Sequence, residues 1–253
     1  MTIATSNKLR SETDTASVDA VCRIHFADGN KGGVGKSFFC RTLYQWFIDH
    51  QLPVTGIEAD VDSPDFKGIY NQVTVAEFSE QESHMGRANA IIETAVDTKQ
   101  SVVVNLPATV HKRFRHWIED NDILTLAQEY DIELVKWFVI TGEYDSCKSL
   151  EASLNLFGTS IRHIVVKNLK YPEWDFFECS ESIQTLIEEA DATVISLPKL
   201  SARIASTLLQ ERLPFDQALD YRGKNFYITE QSALKRFMRL AYEQLESTGV
   251  LPV

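Results

Sequence analysis

The stretch Gly29-Asn30-Lys31-Gly32-Gly33-Val34-Gly35-Lys36-Ser37 decides the fold of this chain and holds four of its 11 glycines. It follows an apolar segment, Val21–Ala27, and precedes a segment of helical pattern, Phe38–His50. Glycines let the backbone turn sharply and point successive N–H groups at an anion, and the helix N-terminus adds positive potential. The sequence therefore predicts a phosphate loop in which Lys36 reaches the β/γ-phosphates and Ser37 binds Mg²⁺.

Apolar runs alternate with helical patterns along the rest of the chain. This alternation predicts right-handed βαβ crossovers and a mostly parallel, twisted sheet with helices on both faces. Further predicted strands are Pro53–Glu58, Ser101–Leu106, Glu133–Ile140, Ile161–Lys167 and Ala192–Leu197, and further predicted helices are Glu82–Lys99, Ser146–Phe157, Ser180–Glu189 and Ser201–Glu211. No linker divides the chain, so we expect one α/β domain over residues 21–253 after a flexible tail over residues 1–20.

Composition and charge limit the classes of function that we expect for this chain. The chain has 36 acidic and 25 basic residues, a net charge of −11 and a pI near 5.0, which argues against an overall basic nucleic-acid binder. The four cysteines show no Cys-x-x-Cys spacing, so we expect reduced thiols and no cysteine metal site. No apolar run approaches the roughly 18–20 residues that a membrane span needs, so we expect a cytoplasmic protein.

The run from Lys31 to Ser37 resembles the deviant Walker A motif of the ParA/MinD ATPases, which have a single-domain P-loop NTPase fold. The resemblance implies ATP and Mg²⁺ as ligands, with nucleotide contacts from Asn30, Gly32, Gly33, Val34, Gly35, Lys36, Ser37 and Phe38. It also assigns Lys31 as the signature lysine that crosses a homodimer interface to the partner's nucleotide. A surface lysine without a partner is the alternative for Lys31.

The segment after the second predicted strand, Glu58-Ala59-Asp60, resembles the family's Asp-x-Asp segment. Asp60 matches the acid that positions the attacking water and touches the Mg²⁺ shell, which makes it a catalytic and metal-site candidate beside Lys31 and Lys36. A carboxylate beyond a strand end suits that task. Asp62 and Asp65 are nearby alternatives that can also be solvated loop acids.

The third predicted strand ends in Asn105, at the Walker B position where the family has an aspartate that supports Mg²⁺ through water. A neutral amide can still hydrogen-bond a metal-bound water, but it contributes no charge. Slow hydrolysis or weaker Mg²⁺ dependence follows if Asn105 belongs to the site. Alternatively, Asn105 is only a polar residue at a strand end.

Two later positions resemble the adenine-binding elements of the family. Asn168 follows the strand Ile161–Lys167 and offers a donor and an acceptor, as base recognition requires. Pro198 lies in the segment Ile195–Leu200, which resembles the loop whose proline packs near the base. An asparagine after a strand is also a common turn residue.

Several stretches resemble the plasmid mobilisation and conjugal-transfer branch of the family, the MobD/TraL-like proteins. Two functions follow from the resemblance: a slow, partner-stimulated ATPase that positions a plasmid or protein assembly as an ATP-bound homodimer, or a nucleotide-gated adaptor of a mobilisation or secretion complex with little hydrolysis. A small-molecule kinase or amidase is a third possibility, but the sequence offers no Cys-His nucleophile pair and no evident substrate-acid motif for it.

Two surface features each allow two interpretations of what they contact. Lys112, Arg113 and Arg115 form the densest basic cluster, which is either a contact for DNA phosphates or a solvated helix start beside acidic residues. The last predicted helix, Glu230–Ser247, carries an apolar stripe that either docks on the sheet or targets a membrane. Acidic residues on its polar face favour docking, so no membrane partner is expected.

Overall fold

The structure is a computed structural model, and it describes residues 21–29, 32–223 and 226–252. Asn30, Lys31 and the predicted tail over residues 1–20 lie outside the described residues. Within the described residues, seven strands form one sheet in the order β3-β2-β4-β1-β5-β6-β7, and all pairs are parallel. The strands are β1 (Cys22–Asp28), β2 (Val54–Glu58), β3 (Thr74–Val75), β4 (Ser101–Asn105), β5 (Ile132–Ile140), β6 (Arg162–Asn168) and β7 (Thr193–Leu197).

Helices cover both faces of this sheet. They are α1 (Lys36–Asp49), α2 (Asp65–Ile69), α3 (Ala90–Thr98), α4 (His111–Asp120), α5 (Ile123–Glu129), α6 (Tyr144–Phe157), α7 (Asp175–Cys179), α8 (Glu181–Glu189), α9 (Ala202–Gln210), α10 (Phe215–Asp220) and α11 (Ile228–Glu246). The predicted α/β fold, a parallel sheet between helical layers, is therefore confirmed. No helix among the described residues is both long enough and apolar enough to cross a membrane.

Side chains alternate between the two faces along the central strands. On β5, Trp137 and Val139 join the core beneath α1 and α11, whereas Leu134 and Phe138 point to the opposite face. Every residue of β4 is buried, as expected for a parallel strand covered on both sides. These apolar runs place β1 and β4 in the middle of the sheet.

Helix α1 packs as its sequence pattern predicts. Phe39, Leu43, Trp46 and Phe47 are each fully buried and belong to one core cluster. This core fixes α1 against the sheet and sets the direction in which the loop before it approaches the strand ends. Helix α11 docks on the same core through Leu234, Phe237, Met238, Ala241 and Leu245, so the docking interpretation of its apolar stripe is confirmed.

One predicted helix is wrong in part. The segment Glu82–Lys99 is not one continuous α-helix, because Glu82–Asn89 forms 3-10 turns and α3 begins only at Ala90. Gly86 lies inside the 3-10 segment, and glycine weakens an α-helix by roughly 1 kcal/mol relative to alanine. Short elements such as β3 and α2 carry too little periodicity to be predicted.

Candidate functional site

The carboxyl ends of the strands meet around one large cavity. Its volume is about 1060 Å³, and its walls include Lys36, Asp60, Pro107, Asn168 and Leu200. These residues follow or end five different elements of the sheet edge, β1, β2, β4, β6 and β7. Ligands of open parallel sheets bind at this edge, and several of the predicted site residues line the cavity there, whereas Val34, Asn105 and Pro198 are not among its lining residues.

The phosphate loop enters α1 through left-handed backbone. Gly33 has φ +84° and Gly35 has φ +104°, conformations that residues with a Cβ rarely adopt. A Cβ on Gly35 would lie 2.5 Å from Nδ2 of Asn168, so the loop also needs glycine for close approach. Lys36 is 6% exposed and lines the cavity beside Ser37 and Phe38. Val34 is buried under the loop.

Asn168 and Tyr171 hold the phosphate loop from the end of β6. Nδ2 of Asn168 donates to the Val34 carbonyl at 2.7 Å, and Oδ1 accepts from the Lys170 N–H at 3.1 Å. The Tyr171 hydroxyl donates to the Gly33 carbonyl at 2.8 Å. The amide of Asn168 retains one N–H and one lone pair, so its predicted contact with a base stays a prediction. Pro198 is half-buried and is not among the residues that line the cavity.

Asp60 lies at the start of the loop that follows β2. Its side chain lines the cavity, and its Oδ1 accepts from the Ser63 N–H at 3.2 Å. Asp62 and Asp65 also line the cavity, so the geometry does not separate the three carboxylates by location alone. Asp60 differs from Asp62 in being 9% exposed and tied by its own N–H to Glu58, at 3.1 Å.

Asn105, the last residue of β4, contacts residues of β2 and α1 through its side chain, and its role in metal binding stays a prediction. Its Nδ2 donates to Glu58 Oε1 at 2.7 Å and to Ser37 Oγ at 3.3 Å. Its Oδ1 is buried and is one of the few buried side-chain acceptors, among the described residues, without a hydrogen-bond partner. Burial raises the pKa of Glu58 to about 7, although the hydrogen bonds from Asn105 and from backbone N–H groups act in the opposite direction.

These donors fit a hard divalent cation such as Mg²⁺. Ser37 offers a hydroxyl and Asp60 a carboxylate at the cavity wall, and Asn105, whose amide contacts Ser37, offers a buried acceptor without a partner. Oxygen ligands of this kind suit Mg²⁺, which usually keeps several waters and also binds substrate phosphates. No cluster of three or more His, Cys, Asp or Glu ligands occurs among the described residues, so a metal here would depend on bound phosphate and water.

Two arginines reach the cavity that sequence reasoning did not assign to it. Arg41 is 5% exposed, and its Nε donates to the Ser37 carbonyl at 3.2 Å. It lies one helical turn after Ser37, a spacing that could have indicated it. Arg113 lines the opposite wall and donates from Nη1 to the Phe78 carbonyl at 2.8 Å.

The three residues of the predicted basic cluster lie in two different environments. Arg113 is half-buried at the cavity, whereas Lys112 and Arg115 are exposed on α4. Arg115 pairs with Glu119 at 2.8 Å, one turn along the same helix. Arg113 thus lies at the cavity wall, and its predicted contact with DNA stays a prediction.

A buried ion pair lies directly before the phosphate loop. Nζ of Lys136 is 2.9 Å from Oδ2 of Asp28, and both side chains are almost fully buried. Burial alone would raise the pKa of Asp28, but the Lys136 ammonium and the Gly29 N–H hold that pKa below its ordinary value. The Lys136 ammonium also lies 4.7 Å from the Phe114 ring centroid. The pair fixes the last residue of β1.

Known proteins are similar to this sequence over nearly its whole length. Protein TraL of Escherichia coli is 28% identical over 247 residues, covering 91% of this chain and all of the relative. Protein MobD of Acidithiobacillus ferrooxidans is 26% identical over 225 residues, covering 88% of this chain and 96% of the relative. The chain is a relative of TraL and MobD. The resemblance to the MobD/TraL-like branch that the sequence predicted is confirmed.

Other comparisons add little beyond this relationship. No protein-family model matches the chain. A solved structure of the septum site-determining protein MinD from Pyrococcus horikoshii, complexed with Mg-ADP, matches with a TM-score of 0.47 and 12% identity, covering 92% of this chain and 99% of that one.

Proposed function

We propose that this chain binds ATP with Mg²⁺, hydrolyses it slowly, and forms a nucleotide-sandwich homodimer in the ATP state. In this proposal the dimer partitions, positions or mobilises a cargo such as a plasmid or a protein assembly. The observation that carries the proposal is that Lys36, Ser37 and Asp60 line one cavity after a glycine-rich loop, with the Asn105 amide in contact with Ser37. Similarity to TraL and MobD supports the mobilisation context.

The residues divide the work by their chemistry. Backbone N–H groups of the loop and the Lys36 ammonium would neutralise phosphate charge, and Ser37 would hold Mg²⁺. Bound Mg²⁺ would supply Lewis-acid polarisation of the phosphates. Asp60 would accept a hydrogen bond from the attacking water and orient it. Lys31 would cross to the nucleotide of the partner subunit, which couples dimerisation to ATP.

A second function has a specific observation in its favour. Asn105 places a neutral amide where a carboxylate would add charge beside Ser37. Hydrolysis that is too slow to matter would make the protein a nucleotide-gated adaptor of a mobilisation or secretion complex. Both functions require nucleotide binding, and they differ in turnover.

Two measurements on one set of variants test the proposal and separate these functions. Equilibrium binding of a fluorescent ATP analogue should fall at least about tenfold in Lys36→Ala and stay unchanged in Lys112→Ala, which removes an exposed cation on α4. Phosphate release should then be lost in Asp60→Ala while binding remains. Absence of measurable turnover in the wild-type protein with normal ATP binding would favour the adaptor; absence of binding would refute both.

DNA binding is a separate part of the proposal. The candidates for phosphate contacts are the exposed cations Lys112 and Arg115 and the half-buried Arg113. A gel-shift titration with ATP should show weaker binding in the double variant Lys112→Ala/Arg115→Ala. An unchanged titration, or no shift for the wild-type protein, would remove DNA from the list of partners.

A further inference from the structure

A carboxylate on the neighbouring strand, that of Glu58, lies beside the Asn105 amide. Glu58 and Asn105 are register partners of the parallel pair β2–β4 and are the last residues of their strands. Both are fully buried, and their side chains meet at 2.7 Å. The position where the ParA/MinD-like motif has an aspartate is therefore occupied by an amide that touches a carboxylate from the adjacent strand.

The contact continues to the phosphate loop. Nδ2 of Asn105 also lies 3.3 Å from Ser37 Oγ, so Glu58, Asn105 and Ser37 form one hydrogen-bonded chain. An amide group whose N–H donors are both directed to these oxygens has a fixed orientation. Its Oδ1, buried and without a partner, is thereby held away from Glu58.

Glu58 also holds the loop that carries Asp60. Its Oε1 accepts from the Asp60 N–H at 3.1 Å, and its Oε2 accepts from the N–H groups of Phe66 at 2.9 Å and Lys67 at 3.4 Å. The Glu58 carboxylate thus contacts the Asp60 backbone and the Asn105 amide, and through Asn105 it is linked to Ser37. A cation bound nearby would favour the charged form of Glu58, and a buried charge acts strongly on such a cation because the surroundings screen it weakly.

We propose that Glu58 supplies the negative charge of the Mg²⁺ site that Asn105 lacks, acting as a positioning residue through the Asn105 amide. The inference rests on the proposed function, since it concerns the same nucleotide site. In this arrangement the charge is moved one strand outward, and the Asn105 amide transmits its position to Ser37. Partners one contact away from a metal commonly change its affinity 10–100-fold when mutated.

The experiment is a charge exchange between the two strands. Binding of a fluorescent, non-hydrolysable ATP analogue is measured against Mg²⁺ concentration, with EDTA as the zero point, for wild type, Glu58→Gln and the double variant Glu58→Gln/Asn105→Asp. We expect Glu58→Gln to need at least about tenfold more Mg²⁺ for the half-maximal rise in affinity. The double variant returns the charge to β4 and should need within about threefold of the wild-type concentration.

Controls separate charge from folding. Glu77→Gln removes an acid from the same cavity that pairs with Arg87, and it should leave the Mg²⁺ dependence unchanged. Thermal unfolding in EDTA reports whether each variant folds, and if Glu58→Gln alone does not, the comparison of the double variant with wild type carries the test. Nucleotide binding with the same Mg²⁺ dependence in all variants, or a double variant that is not restored, would overturn the inference. No binding by the wild-type protein would refute the proposed function itself.

Discussion

At the scale of single residues, Gly35 is the most constrained position of the phosphate loop. An alanine there meets both a left-handed φ of +104° and the Asn168 amide at 2.5 Å. Gly35→Ala should lower the free energy of unfolding by roughly 1–3 kcal/mol, the usual cost of such strain, as measured by urea denaturation. Gly32→Ala is the matched control, because a Cβ on Gly32 meets nothing within 4 Å. Equal stability of the two variants would contradict the loop geometry.

The buried pair before the loop gives a second prediction at this scale. Lys136→Met leaves the buried Asp28 carboxylate without its counter-charge and should cost roughly 3–5 kcal/mol in the free energy of unfolding. The double variant Asp28→Asn/Lys136→Met removes both charges and should recover much of that loss. Lys148→Met breaks an exposed pair with Glu151 and should change the free energy of unfolding far less than Lys136→Met does. Additive losses in the double variant would show that the pair does not act as a unit.

At the scale of elements, substitutions in the last helix, α11, test whether its apolar stripe is docked on the core. Leu234 is fully buried in the core beneath α1, so Leu234→Ala should cost roughly 2–5 kcal/mol in the free energy of unfolding. Lys235→Ala alters the neighbouring exposed position and should change stability by no more than about 0.5 kcal/mol. Similar melting curves for both variants would mean that the apolar stripe of α11 is free and not docked.

Sequence reasoning succeeded where the signal is local. The phosphate loop, the buried face of α1 and the strands around them follow from glycine spacing and from apolar periodicity within about 20 residues. The break at Ala90 within the predicted helix Glu82–Lys99 was missed, because periodicity does not distinguish 3-10 turns from a frayed α-helix.

Contacts across the sheet could not be predicted from the sequence. The bond between Glu58 and Asn105 joins residues 47 positions apart and depends on the register of β2 against β4. Arg113 is similar, since its direction depends on how α4 packs beside Phe78, 35 residues earlier. The sequence predicted several of the residues that line the cavity, and the fold determined which side chains touch.

At the scale of the whole molecule, two buried histidines make stability depend on pH. Burial lowers the pKa of His163 to about 4 and that of His25 to about 3, below the ordinary value of 6.5. Because the unfolded chain binds these protons first, stability is lost as pH falls from about 6.5 towards 4. Each histidine should account for roughly 2 kcal/mol at pH 5.

The measurement is urea denaturation of wild type and His163→Gln at pH 7.5 and pH 5. His163→Gln should lose less stability between the two pH values than wild type does, because it no longer binds that proton on unfolding. His116→Gln, a change at an exposed position of α4, should follow the wild-type pH dependence. Parallel behaviour of all three proteins would contradict the assignment of the loss to His163.

Control of assembly by nucleotide bound at this loop can be measured by sedimentation velocity. The protein is compared with Mg²⁺ and ATP, with Mg²⁺ and ADP, and without nucleotide, alongside Lys36→Ala and Lys31→Ala. We expect a dimer only in the sample with Mg²⁺ and ATP, lost in both variants, since in the proposed mechanism Lys36 would bind the nucleotide of its own subunit and Lys31 that of the partner. A monomer under every condition, or a dimer that ignores nucleotide, would contradict this control of assembly by nucleotide.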